Sequence, residues 1–230
     1  MNIRAILTGA TGMVGEGVLL ECLRDPAVEA VLLLARKPSS YAHPKLQELL
    51  HPDFQHLETV EDQLTGYNAC FYCAGISSLG VSKEEYERIT YATTLAVAQT
   101  LRRLNPDLSF VYVTGAGTDG TERGRSHWAR TKGRTENVLL RLPFRSAFMF
   151  RPGFMRPSPE QRNVLGMYKY LNWLYPMARW LAPDYVSTMQ EVGVAMLKAV
   201  QTGYPKPVLE VRDIVALAQG KVAANSSPTL

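Results

Sequence analysis

The chain contains only three cysteines in 230 residues: Cys22, Cys70 and Cys73. So sparse and odd a number excludes a disulfide framework and is typical of a reducing compartment, so we expect a cytoplasmic protein. Cys70 and Cys73 form a C-x-x-C pair within the apolar stretch ACFYCAG, which is typical of a buried strand. Side chains three residues apart on a strand point to opposite faces, so we expect two core cysteines and no metal site.

Long apolar runs and a strong net charge are also lacking. The most apolar windows are short or interrupted by charge or proline, so we expect no stable membrane insertion. The N-terminal MNIRAILTGATG has one arginine and a very short apolar run, which does not fit a secretory signal. A net charge of +4 and a pI near 9.0 permit an anionic ligand but are weak evidence for nucleic acid, so we expect no nucleic-acid partner.

What is present is a regular alternation of strand-like and helical patterns. In chain order they are a strand over Ile3–Thr8, a helix over Gly12–Arg24, strands over Ala27–Leu34 and Ala69–Cys73, a helix from Ser82 to about Arg103, a strand over Leu108–Thr114, a helix over Trp128–Arg141 and a strand over Ser146–Phe150. Continuous apolar strands separated by helices indicate a parallel sheet covered on both faces. The predicted fold class is α/β, a doubly wound parallel sheet of the Rossmann type.

The pattern changes after Arg151, where a loop-like stretch is followed by helical segments and a short strand. We therefore predict a small C-terminal helical extension on one domain that spans residues 1–230. Within it we expect a core over 1–155, a smaller substrate-side portion over 156–220 and a flexible tail over 221–230. The aromatic segment Met167–Pro183 has four interpretations: core packing, a lid over a substrate, a protein contact or, least favoured, a membrane-surface helix.

A glycine loop, TGATGMVG over Thr8–Gly15, lies between the first predicted strand and the first predicted helix. Glycines allow a tight turn and let backbone amides approach a diphosphate, while the helix N-terminus adds unpaired donors and a partial positive charge. At this position in a chain that alternates throughout, the motif predicts a dinucleotide-binding site. The alternative is a plain tight turn.

The second predicted strand is followed shortly by Arg36 and Lys37. In a dinucleotide-binding fold this position faces the adenosine ribose, where an acidic residue suits the 2′-hydroxyl of NAD(H) and an arginine suits the 2′-phosphate of NADP(H). The pair predicts NADP as the cofactor, with NADPH preferred over NADH. A solvated basic turn is the alternative interpretation.

Five short motifs together resemble a known family. They are TGATGMVG, CAG at Cys73–Gly75, VTGAG at Val113–Gly117, WARTK at Trp128–Lys132 and RPG at Arg151–Gly153. The chain resembles a short-chain dehydrogenase/reductase over nearly its whole length. More narrowly, it is similar to the atypical branch that contains the oxidoreductase-like homologues of the Tat-interacting protein and bacterial NAD-dependent epimerase/dehydratase proteins. The resemblance implies an NAD(P)-binding domain and is compatible with a homodimer.

The resemblance also implies roles for individual residues. Those implied to cradle the diphosphate are Gly9, Thr11, Gly12, Met13 and Val14. Those implied to pass the adenosine and its ribose are Cys73, Ala74 and Gly75, and those implied to lie near the nicotinamide are Pro152, Gly153 and Phe154. Lys132 is implied to bind the nicotinamide ribose.

The departures from the family pattern concern its chemistry. Trp128 stands where the family has a proton-carrying tyrosine, and an indole N–H is a donor only. The serine position falls at Gly115 or Ala116, and the helix EYERITYATTLAVAQTL lacks the usual asparagine. Of the usual set only Lys132 remains, and we predict it as catalytic together with the nearby hydroxyl of Thr114. The other nearby groups are Tyr112, Thr118, Asp119 and His127.

Three functions therefore stay open at this point. The first is an NADP(H)-dependent oxidoreductase acting on a small carbonyl or alcohol that the sequence does not identify. The second is a non-catalytic module that binds or senses NADP(H) and contacts another protein, which the missing residues favour. The third is a nucleotide-sugar epimerase or dehydratase, which is weaker because that chemistry also depends on the absent tyrosine. A basic helix face at Arg130, Arg134 and Arg141 is interpreted as a solvated surface that is partly paired with Glu136.

Overall fold

The computed structural model describes residues 2–164, 166 and 175–221. Its strands are β1 (Ile3–Thr8), β2 (Val28–Ala35), β3 (Leu46–Leu50), β4 (Ala69–Tyr72), β5 (Ser109–Val113), β6 (Ser146–Arg151), β7 (Phe154–Arg156), β8 (Val186–Thr188) and β9 (Val208–Glu210). Its helices are α1 (Met13–Arg24), α2 (Lys83–Glu87), α3 (Thr94–Leu104), α4 (His127–Leu139), α5 (Tyr175–Leu181), α6 (Met189–Thr202) and α7 (Val211–Ala218). In the described ranges, no helix combines the length and apolar character needed to cross a bilayer.

Seven strands form one parallel sheet in the order β3-β2-β1-β4-β5-β6-β9. The strand order reverses at β1, which pairs with β2 on one side and with β4 on the other. Neighbouring strands leave a crevice at their carboxyl ends at such a reversal, and ligands of α/β proteins bind there. The predicted doubly wound parallel sheet is confirmed.

The sheet separates two apolar layers. On one side α1, α6 and α7 pack on the sheet, and on the other side α3 and α4 do so. Alternate side chains of β2 belong to different layers: Val31 and Leu33 lie in the first, whereas Leu32 and Leu34 lie in the second. A strand buried on both faces needs a continuous apolar run rather than an alternating one.

The two cysteines of the C-x-x-C pair follow the same geometry. Cys70 belongs to the layer with α3 and α4, and Cys73 packs against the layer with α1. Their side chains therefore lie on opposite sides of the sheet, as strand geometry predicts. No cluster of three metal-ligating side chains occurs in the part of the chain that the structure describes.

Three features differ from the predicted elements. The helix expected from Ser82 to Arg103 is divided by a π-helical turn at Arg88–Thr93, where the Thr93 hydroxyl donates to the Arg88 carbonyl at 3.0 Å. The strand β3 and a 3₁₀ turn at Glu58–Leu64 were not predicted. The C-terminal residues add β9 to the main sheet and α6 to its core, so they are more than an appended extension.

Candidate functional site

The glycine loop brings main chain against main chain at the carboxyl end of β1. Gly9 has a φ of +78°, and a Cβ placed on it would lie 2.6 Å from the carbonyl carbon of Cys73. Only glycine fits so close an approach and so strained a conformation. The Thr8 hydroxyl accepts a hydrogen bond from the Ala74 amide at 3.1 Å, which fixes the segment after β4 beside the loop.

The first helix then begins directly behind this loop. A Cβ on Gly15 would lie 2.2 Å from the carbonyl oxygen of Gly9, so the helix rests on the loop without an intervening side chain. Gly12 is the N-cap residue of α1, and as a glycine it offers no side-chain hydrogen bond to the first turn. The side chains of Met13 and Val14 pack into the core, so it is their backbone amides that lie at the helix start. Unpaired amides at a helix N-terminus attract anions.

A cleft of about 620 Å³ opens over this loop. It unites residues from the turns after three neighbouring strands, namely Gly9, Ala10, Thr11, Gly12, Arg36, Lys37, Cys73, Ala74 and Gly75. Most of the residues predicted to bind the cofactor therefore meet on one surface, although their individual roles stay predictions. Arg36 is exposed, and in the described part of the chain it forms no salt bridge. Its guanidinium is thus free for an anionic ligand.

A smaller pocket of about 330 Å³ adjoins the cleft and shares Arg36 and Phe54 with it. Asp53 and the Arg88–Glu85 ion pair contribute to its polar lining. Sequence reasoning did not find these residues. Asp53 and Phe54 follow β3 in the sequence, and β3 was itself not predicted.

Lys132 lies on α4 with its Nζ 2.5 Å from the backbone carbonyl oxygen of Thr114, to which it donates. Burial lowers the pKa of Lys132 to about 8, although the Glu136 carboxylate acts in the opposite direction. Thr114 is only 8% exposed. Its hydroxyl donates a hydrogen bond to the Glu136 carboxylate at 2.6 Å. The two predicted catalytic residues, Lys132 and Thr114, are therefore in contact. The contact is made by the backbone carbonyl of Thr114, because its hydroxyl is hydrogen-bonded to Glu136.

That partner belongs to a buried ion network that the sequence did not reveal. Glu136 is 1% exposed and pairs with Arg151, whose Nε lies 3.0 Å from its Oε1. The Arg151 Nη1 also reaches Glu210 at 3.0 Å, so α4, β6 and β9 are joined. Interpreting Glu136 as a surface partner of the helix arginines was wrong, because its carboxylate points into the sheet end.

The residues around Trp128 form a tightly folded loop after β5. Gly117 has a φ of +86°, and a Cβ on it would lie 3.6 Å from the Trp128 ring. Asp119 accepts hydrogen bonds from Thr121 and from the Gly124 amide, which lower the pKa of its carboxyl. The Asp119 carboxylate thus organises its own loop.

The other groups considered near Trp128 also have local partners. The His127 Nε2 lies 3.1 Å from a Glu87 carboxylate oxygen, and the Tyr112 ring is buried in the core at 2% exposure. The Thr118 hydroxyl donates to the Gly115 carbonyl at 2.7 Å. None of these contacts supplies a phenol or a free hydroxyl in place of the missing tyrosine.

The motif at the end of β6 supports the same loop. The Pro152 carbonyl accepts from the Ala116 amide at 2.9 Å, and the Phe154 amide donates to the Tyr185 carbonyl at 2.8 Å. A Cβ on Gly153 would lie 2.3 Å from that same Tyr185 oxygen. These residues thus join the loop after β5 to the small β7–β8 sheet. Their predicted contact with nicotinamide stays a prediction.

The aromatic segment Met167–Pro183 falls partly outside the described residues, since 165 and 167–174 are not described. Within α5 the exposed apolar side chains are Met177, Trp180 and Leu181. These three side chains therefore do not pack in the core.

Two proteins named as mitochondrial are similar to this chain over nearly its whole length. One is Protein FMP52-2, mitochondrial, from Scheffersomyces stipitis, which is 23% identical over 239 residues and covers 100% of both chains. Another is Protein FMP52, mitochondrial, from Coccidioides immitis, which is 26% identical over 93% of this chain and 95% of its own. The expectation of a cytoplasmic protein is wrong by this comparison. Few cysteines indicate a reducing environment but do not distinguish one such compartment from another.

Solved structures share the fold. The ADP-L-glycero-D-manno-heptose-6-epimerase of Helicobacter pylori has a TM-score of 0.65 at 15% identity, over 96% of this chain and 83% of that chain. The Bordetella bronchiseptica enzyme WbmF in complex with NAD+ has a TM-score of 0.63 at 13% identity, over 96% and 78%. The model of the NAD dependent epimerase/dehydratase family matches residues 5–132, which contain the glycine loop, the turn after β4 and Lys132. The chain therefore belongs to the NAD-dependent epimerase/dehydratase family, whose members bind NAD(P) on a Rossmann-type fold.

Proposed function

We propose that this chain is an NADP(H)-dependent oxidoreductase acting on a small carbonyl or alcohol. The observation that carries the proposal is the cleft in which a glycine floor, an uncapped helix start and the Arg36–Lys37 pair share one surface. Bare backbone and unpaired amides suit a pyrophosphate. Two cations at the end of β2 suit the 2′-phosphate that distinguishes NADP(H) from NAD(H).

The residues present fit this cofactor. A side chain at Gly9 would collide with the Cys73 backbone, so the cradle depends on glycine where a pyrophosphate needs close approach. The adjoining pocket with Asp53 and Phe54 offers a carboxylate acceptor and an aromatic face, which suit a flat amino-substituted ring. We assign the diphosphate to the glycine loop, the 2′-phosphate to Arg36 and Lys37, and the adenine to this pocket.

When bound, NADPH supplies a hydride to the substrate carbon, and the protein must then supply a proton to the substrate oxygen. Trp128 does not supply it, because the indole nitrogen does not titrate at physiological pH. The Lys132 ammonium uses one of its donors on the Thr114 carbonyl and has two left. With a pKa of about 8, Lys132 holds a transferable proton near neutrality. Lys132 is thus our candidate for both ribose binding and proton transfer.

The cofactor assignment is tested by calorimetric titration with NADPH and with NADH. We expect NADPH to bind more tightly, and Arg36→Ala to weaken NADPH by about tenfold while leaving NADH within about twofold. Arg125→Ala is the matched control, since Arg125 is an exposed arginine of the loop after β5. Tighter binding of NADH than of NADPH would contradict the assignment.

The chemistry is tested by following NADPH absorbance with a panel of carbonyl compounds. We expect turnover that Lys132→Met abolishes and Trp128→Phe leaves unchanged. Trp128→Tyr is expected to increase turnover, because the phenol would stand one helical turn before Lys132. Equal rates for the Phe and Tyr variants would show that position 128 carries no proton.

A non-catalytic NADP(H)-binding module is the second candidate. Two observations favour it: Trp128 replaces the tyrosine, and the Thr114 hydroxyl is engaged by Glu136. This candidate predicts tight NADPH binding with no turnover in either direction and no effect of Trp128→Tyr on the cofactor's absorbance. The same two assays therefore separate the two functions.

A further inference from the structure

A fully buried carboxylate outside the assigned site joins three separate segments. Glu16, in the first turn of α1, is 0% exposed. Its Oε1 accepts from the Tyr41 hydroxyl at 2.6 Å and from the Arg162 amide at 2.9 Å, and its Oε2 accepts from the Asn163 amide at 2.8 Å. We call Glu16, Tyr41 and Arg162 the Glu16 clasp.

Hydrogen bonds, and not an ion pair, satisfy the buried carboxylate of Glu16. No cation lies within salt-bridge distance of Glu16 in the part of the chain that the structure describes. A buried unpaired carboxylate is unfavourable unless several donors and a helix N-terminus stabilise it, and here both are present. Burial and the bond to Glu16 raise the pKa of Tyr41 to about 12, so the phenol keeps its proton and donates it. All three donors are thus engaged by the one carboxylate.

The clasp fixes the loop that carries the proposed phosphate-binding pair. The Arg162 Nη1 donates to the Ser40 carbonyl at 3.0 Å, and the Arg162 guanidinium lies 4.9 Å from the centroid of the Tyr41 ring. At the other side, the Ser39 amide donates to Glu48 of β3 at 3.0 Å. The loop after β2 is therefore held at three successive residues, all directly after Arg36–Pro38.

We propose that the Glu16 clasp determines the preference for NADPH over NADH, by holding Arg36 and Lys37 in position to bind the 2′-phosphate; this rests on the function proposed above. Glu16 and Tyr41 act as positioning residues. Pre-organisation raises affinity because less conformational freedom is lost on binding. The 2′-phosphate is the part of the ligand that depends on this loop, so loosening the clasp weakens NADPH and not NADH.

The test compares Tyr41→Phe and Glu16→Gln with the wild type, using calorimetric Kd values for NADPH, NADH, 2′-phospho-ADP-ribose and ADP-ribose. We expect both variants to weaken the two 2′-phosphorylated ligands by about fivefold and the other two by less than about twofold. Tyr204→Phe is the control, because the Tyr204 hydroxyl makes a comparable bond to Asp213 at 2.9 Å far from the cleft. The control is expected to change no Kd ratio.

Hydrogen exchange of the Arg162 and Asn163 amides reports the clasp itself, without any ligand. We expect faster exchange at both amides in Glu16→Gln and unchanged exchange in Tyr204→Phe. Equal weakening of all four ligands, or an unchanged ratio despite faster exchange, would overturn the specificity role while leaving the proposed function intact. A wild type that binds neither dinucleotide, or prefers NADH, would overturn both.

Discussion

At the scale of single residues, the lowered pKa of Lys132 links the stability of the protein to pH. Burial lowers its pKa from 10.5 to about 8, so between these values the unfolded chain binds a proton that the folded chain lacks. The free energy of unfolding should therefore increase with pH across this window, and below about pH 8 the lysine is charged in both states. Below about pH 8, folding therefore buries the charged form of Lys132, and the destabilisation due to its burial is greatest.

This predicts the behaviour of Lys132→Met, which has no titrating group. Urea unfolding of the wild type and the variant, measured at several pH values, should give a difference in unfolding free energy that favours the variant below about pH 8. The difference should shrink as pH rises towards 10.5, the ordinary value. Parallel curves would mean that Lys132 keeps its ordinary pKa in the folded protein.

At the scale of elements, two glycines distinguish the cost of a steric clash between the glycine loop and the turn after β4 from the cost of backbone strain alone. Gly9 and Gly66 both have positive φ, +78° and +81°, but only at Gly9 would a Cβ meet other atoms. Gly66→Ala should lower the free energy of unfolding by about 1 kcal/mol, and Gly9→Ala by about 3 kcal/mol or more. Denaturant unfolding measures both, and equal losses would exclude the close approach.

The junction of α4, β6 and β9 gives a second comparison between two partners of one arginine. Glu136→Gln leaves Arg151 without its buried partner and should lower the free energy of unfolding by about 3–5 kcal/mol. Glu210→Gln removes the outer partner, whose side chain is 52% exposed, and should lower it by less than about 1 kcal/mol. If the thermal unfolding of the two variants is alike, the network does not distinguish buried from exposed partners.

The elements also show where sequence reasoning succeeds. The strand β2 was predictable because all its core positions are apolar, whereas β3, LQELL, exposes most of its side chains and carries no such run. The glycine loop was predictable because its requirement is local, namely backbone without side chains at a strand–helix turn. Glu136 was not, because Arg151 and Glu210 lie 15 and 74 residues further along the chain and only the fold brings them together.

At the scale of the whole molecule, the cleft lies where three separate turns meet, after β1, β2 and β4. A ligand that bridges them binds only the folded chain, so it should stabilise the protein as a unit. NADPH at a hundred times its Kd is expected to raise the free energy of unfolding by about 2.7 kcal/mol. Thermal denaturation with and without NADPH measures this, and an unchanged midpoint would contradict the placement of the site.

The main-chain floor beneath that crevice has an evolutionary corollary. Side chains accommodate new molecules by changing rotamer, but peptide units packed this closely offer no rotamers and no room for substitution. Drift in ligand preference is therefore confined to the rim, where Arg36, Asp53 and Phe54 stand. On the proposed function, substitutions at this rim change the preference between NAD(H) and NADP(H) far more readily than substitutions in the floor remove binding of the diphosphate.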